Sequence, residues 1–69
     1  MTIAECNSPA AENIARIIAE KGLKHVHVSE KAGYSAHGLS DMLNGRKLIK
    51  VSDLVRIAAA LEVDAKCLL

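Results

Sequence analysis

Apolar residues recur at helical spacing along most of the chain. Ile14, Ile17 and Ile18, with Ala11, share one face of a segment whose other side holds Arg16, Glu20 and Lys21. Ser8-Pro9 has the form of a helix start, a Ser cap with Pro at the first helical position. Gly22 has the form of a stop. Residues 1–7 show no periodicity, so the expectation is a flexible N-terminal arm ahead of a domain spanning residues 8–69.

Residues 24–29, Lys-His-Val-His-Val-Ser, alternate polar and apolar with a strand-like period. The run is short and has no candidate partner strand. Val28 with Ala32 also fits one helical face, so the segment reads as a helix over about 25–32. A third helix is expected from Ser35, as its cap, to Leu43, with Leu39, Met42 and Leu43 facing inward and Asn44-Gly45 ending it. Gly38 inside it costs about 1 kcal/mol of helix propensity, which close packing or the approach of a ligand would justify. After a loop from Asn44 to Lys50, a fourth helix covers about Val51 to Glu62. Its expected buried face is Val51, Leu54, Ile57, Ala58 and Leu61. Asp64 then caps a last short turn that buries Leu68. The architecture is all-α, a compact five-helix domain. Its second and third helices, joined by a tight Gly-containing turn, have the spacing of a helix-turn-helix.

Composition narrows this. Sixty-nine residues make one small domain. Hydrophobic residues are 51% of the chain, yet there is no Trp or Phe and one Tyr, Tyr34. The core must come from Leu, Ile, Val, Met and Ala, which suits closely packed short helices. Cys6 and Cys67, with no signal peptide in view, fit a reduced cytoplasmic protein, with Cys67 as a core filler. The longest apolar run, Ile57 to Leu61, is too short to span a bilayer, so no membrane partner is expected. The net charge of +1 decides nothing, but its distribution does. Residues 44–56 hold Arg46, Lys47, Lys50 and Arg56 against Asp53 alone, directly after the candidate recognition helix. Backbone phosphates reward positive charge in that place.

With these elements placed, the chain resembles the Cro and phage-repressor helix-turn-helix family. The resemblance lies in I-A-x-x-I-x-E-K-G-L at 14–23, E-K-A-G-Y-S at 30–35, L-S-x-M-L-N-G-R at 39–46 and L-V-R-I-A-x-A-L-x-V-D at 54–64. It implies a lambda-repressor-like five-helix fold, binding to double-stranded operator DNA, usually an inverted repeat, as a homodimer, and a role as a transcriptional repressor or regulator. On that pattern the base-reading positions fall on Ala36, His37, Ser40 and Asp41. His37 can bond a guanine edge or a phosphate, Ala36 can touch a thymine methyl, and Asp41 can accept from cytosine. Phosphate contacts fall to His25, Ser35, Asn44, Arg46, Lys47 and Lys50, with Asn44-Gly45 also able to offer backbone N–H groups. The chain departs from the family at Lys24 and His25, where Ser and Gln are common, and at Glu62, where Gly often ends the fourth helix.

Other chemistries find little support. His25, His27 and His37 lack further ligands at metal-binding spacing. There is no nucleophile–base pattern and no Gly-rich phosphate loop, so neither an enzyme nor a cofactor is expected. Two alternatives remain open. One is an antitoxin of the same fold with a toxin protein as partner. The other is a helical protein-interaction module with little affinity for DNA.

Overall fold

The structure is a computed structural model, and it describes residues 2–69. Among the described residues there are four α-helices and one 3-10 turn, with no strand. The helices are α1 (Ile3–Lys21), α2 (His25–Lys31), α3 (Gly38–Leu43) and α4 (Val51–Leu61), and the 3-10 turn is Ala65–Leu68. They surround one core in which Ile14, Val28, Leu39, Met42, Ile57, Leu61 and Leu68 are all but fully buried. The alternating run is helical from His25 onward, with Lys24 extended ahead of it, and this geometry places Val28 and Ala32 together against the core.

The first helix is longer than its sequence pattern predicts. It starts at Ile3, not at Ser8, and the expected arm forms its opening turns. Thr2 caps it: its hydroxyl accepts from the Glu5 N–H, and the Glu5 carboxylate accepts from the Thr2 N–H, a reciprocal capping box. Pro9 therefore lies inside the helix, where it removes one intrahelical hydrogen bond. What holds this turn in place is Asn7. Its side chain is buried, donates to the carbonyls of Met42 (3.1 Å) and Lys47 (2.8 Å), and accepts from the Ile49 N–H (2.9 Å). One amide thus ties the start of α1 to the end of α3 and to the loop beyond it. Asn13 does the same for the other end of the chain, donating to the Leu68 and Leu69 carbonyls.

Three further expectations need correction. The third helix begins at Gly38 rather than after Ser35, because residues 36–37 form a turn. Val51 is not buried but 76% exposed. The buried arc of α4 is centred on Ile57 and Leu61 and includes Asp53 and Ala60, which puts Val51 about 100° away from its middle. Cys67 is exposed and does not fill the core; Leu68 does.

Candidate nucleic-acid interface

The connection between α2 and α3 is built by three residues. Gly33 takes φ of +90°, a conformation that a side chain would strain. Ser29, fully buried on α2, donates from its hydroxyl to the Ser35 carbonyl and accepts from the Leu39 N–H (3.1 Å). It thereby satisfies the start of α3 from the neighbouring helix, the role the sequence reading gave to Ser35. Gly38 completes the join. A Cβ on it would lie 2.7 Å from Tyr34 Cβ, well inside contact distance, so the absent side chain is what lets α3 sit against the turn. Of the reasons offered for a glycine here, close packing is the one the structure supplies.

With Leu39 and Met42 buried, the outward side of α3 and its preceding turn is left to the candidate base readers. His37 is exposed at the helix start, and Ala36, Ser40 and Asp41 are partly exposed. Asp41 faces Arg46 at 3.7 Å across a solvent-exposed pair, so it offsets part of the Arg46 charge. The Asp41 carbonyl also accepts from the backbone N–H groups of Arg46 (2.8 Å) and Lys47 (3.3 Å), wrapping the basic loop onto the end of α3. The Asn44 side chain donates to Ser40 Oγ (3.2 Å). The Asn44 and Gly45 N–H groups bond to the carbonyls of Ser40 and Met42, so they are committed within the fold rather than presented outward. His25 is exposed at the first position of α2, Ser35 just before α3, and Lys50 at the cap of α4. No side chain caps α2, as Lys24 in place of Ser implies.

Tyr34 organises the cations. Its hydroxyl donates to Asp53 Oδ1 (2.6 Å), and the other oxygen of Asp53 accepts from the Lys50 N–H (2.9 Å). Lys47 Nζ and the Arg56 guanidinium lie 5.6 and 5.7 Å from the centre of the Tyr34 ring, within cation–π range. Burial and the hydrogen bond to Asp53 push the Tyr34 hydroxyl up from 10.0 to about 12. Burial alone would raise the Asp53 carboxyl. The Tyr34 hydroxyl, the Lys50 N–H and the charges of Lys47 and Lys50 outweigh it and hold the group below its ordinary value. Asp53 thus stays ionised and locks the turn before α3 to the start of α4. Arg56 belongs to this cluster although the sequence reading assigned it no contact. The available signal was its place one helical turn beyond Asp53, inside the basic stretch.

A family model described as a helix-turn-helix domain matches residues 10–67. The chain belongs to this helix-turn-helix domain family. No curated protein and no solved structure matches it. The match covers α2, the Gly33 turn and α3, and its helix-turn-helix character points to DNA as the ligand. Among the described residues of this helix-turn-helix domain, no helix is long and apolar enough to cross a membrane. Among the same residues, no group of three or more His, Cys, Asp or Glu side chains is placed to hold a metal ion.

Proposed function

We propose that this helix-turn-helix domain is a sequence-specific transcriptional regulator, a repressor of phage type, that binds operator DNA in the cytoplasm as a homodimer and has no enzymatic activity. The observation that carries the reading is a juxtaposition. Lys47 and Arg56 are both held over the ring of Tyr34, in the connection that leads into α3, with Arg46, Lys47 and Lys50 in the loop that leaves α3. α3 enters the major groove, where Ala36, His37, Ser40 and Asp41 meet base edges. His25, Ser35, Asn44 and the loop cations meet phosphates on either side, and Arg56 adds a further phosphate contact. Phosphate contacts fix position and the α3 side chains discriminate.

The test is selection of bound sequences from random duplex DNA. Enrichment of an inverted repeat is the expected result, and recovery of an unbiased pool would remove sequence-specific binding. A second reading has one observation in its favour. Asp41 neutralises part of Arg46, and none of the strong edge-readers Arg, Lys, Gln or Asn stands at 36, 37, 40 or 41. That favours a protein partner, such as the toxin of a toxin–antitoxin pair, and co-purification of a small unrelated protein would support it.

A further inference from the structure

One surface cavity, of ≈ 390 Å³, lies between the start of α1 and the end of α3. Its polar side chains are already bonded within the chain, Asn7 to three backbone groups, Ser8 to Glu12 and Asn44 to Ser40. Another, of ≈ 330 Å³, lies where the ends of α1, α2 and α4 converge. That volume is in the range of small-molecule sites, roughly 300–1,000 Å³. Its floor is apolar, with Val28, Ala60 and Leu61 buried and Leu23 open at the edge. Lys21 from α1 and His27 and Lys31 from α2 stand on one side, His27 and Lys31 sharing a helical face. Glu62, the C-cap of α4, stands on the other.

The Lys31 ammonium and the Glu62 carboxylate face each other at 4.0 Å, both exposed. Such a pair is held weakly, so both charges are open to a ligand. Glu62 also holds a left-handed backbone (φ 59°), the strained conformation of α4's cap that glycine would take freely. A charged side chain kept under strain at the mouth of a cavity is the pattern of a ligand clamp. We propose that this cavity binds a free α-amino acid with an aliphatic side chain. Laid antiparallel beside the Lys31–Glu62 pair, the ligand's ammonium meets Glu62 and its carboxylate meets Lys31. Lys21 adds positive charge and the His27 ring can donate an N–H to the same carboxylate. The side chain covers Leu23, Val28, Ala60 and Leu61, which removes apolar surface from water. A plain anion would leave Glu62 opposed to it, a plain cation would face Lys21 and Lys31, and an uncharged apolar molecule would leave the pair unused. The zwitterion matches both signs and the floor. This site is independent of the DNA-binding reading.

The test is calorimetric titration of the full chain, without DNA, with L-leucine as the probe. Saturable binding is expected at millimolar concentration, with amide shifts in the NMR spectrum centred on Lys21, Val28 and Glu62. L-Leucinamide lacks the carboxylate, N-acetyl-L-leucine lacks the ammonium and glycine lacks the side chain, and each should bind weaker by about tenfold or more. Lys31→Met and Glu62→Gly should weaken leucine binding to a similar degree. Glu62→Gly also relieves the backbone strain, so with helicity kept by circular dichroism its loss of binding cannot come from unfolding. Absence of heat and of shifts with leucine would overturn the site. Shifts centred elsewhere, or an affinity that neither substitution changes, would do the same. Equal binding of acetate or N-acetyl-L-leucine would reduce the cavity to a site for simple anions and overturn the proposal.

Discussion

At the residue scale, four positions decide whether α3 is presented at all. Asn7 satisfies the buried Met42 carbonyl and the partly buried Lys47 carbonyl and Ile49 N–H. Replacing it by Ala strands all three, and each unsatisfied buried group costs about 1–3 kcal/mol. Asn7→Ala should lower stability by about 2–3 kcal/mol in urea unfolding and loosen the basic loop; a loss below 0.5 kcal/mol would mean the amide is dispensable. Gly38→Ala forces a Cβ against Tyr34, so it should destabilise by about 1–3 kcal/mol although Ala is the better helix former. Stabilisation by that change would refute the close approach. Tyr34 and Asp53 make stability depend on pH at both extremes. The folded carboxyl of Asp53 titrates below its ordinary 3.8, so its contribution is full above about pH 4 and fades as pH falls through the folded value. The Tyr34 hydroxyl is raised, so its contribution is full below pH 10 and fades as pH rises toward about 12. Tyr34→Phe should flatten the alkaline limb of a plot of melting temperature against pH, and Asp53→Asn the acid limb. Unchanged limbs in both variants would show that the pair is not coupled to folding.

At the element scale, helical periodicity located the elements and missed what joins them. The apolar faces of α1, α2 and α3 were legible because core burial imposes the 3.6-residue repeat. The start of α1 carries a local signal, the Thr2-x-x-Glu5 spacing of a capping box, which the Ser8-Pro9 pair obscures; what no local pattern records is Asn7, which bonds groups 35 to 42 positions away. Ser8-Pro9 mimicked a cap that Thr2 and Glu5 supply. The start of α3 was misplaced because Ser29 on another helix does the capping. Spacing alone places Val51 in the core, yet the buried arc of α4 includes Asp53, which Tyr34 hydrogen-bonds, and leaves Val51 outside it. The end of α4 is a local conflict visible in the sequence. Glu62 occupies a left-handed position that costs an L-residue about 1–2 kcal/mol, and its exposed pair with Lys31 returns little. Glu62→Gly should raise thermal stability, measured at high dilution, by about 0.5–1 kcal/mol after the entropy of glycine is counted. A lower melting temperature would show that the side chain stabilises the single chain more than the strain destabilises it.

At the scale of the whole molecule, a net charge of +1 concealed the feature that matters. Most acidic side chains lie away from residues 44–56, so the cations concentrate in the loop after α3 and the start of α4, and Tyr34 fixes two of them over its ring. The basic stretch was legible in the sequence; its attachment to the turn through Tyr34 and Asp53, and the inclusion of Arg56, required the fold. The separation of roles follows from the same arrangement. On the proposed reading Lys47 and Arg56 meet phosphates and no base, so changing either to Ala should weaken binding to all duplexes about equally, whereas His37→Ala should cut discrimination between operator and random DNA by about 1–3 kcal/mol.

The most direct measurement is the dependence of duplex affinity on salt for the parent chain and for Lys47→Ala and Arg56→Ala. Each phosphate contact contributes roughly −0.9 to the slope of log K against log salt. With Arg46, Lys47, Lys50 and Arg56 engaged, the slope should be about −3 to −4 per copy, and each substitution should make it shallower by about one unit without changing the preferred sequence. A parent that binds no duplex at low salt, or a flat dependence that neither substitution alters, would contradict the assignment of this surface to DNA.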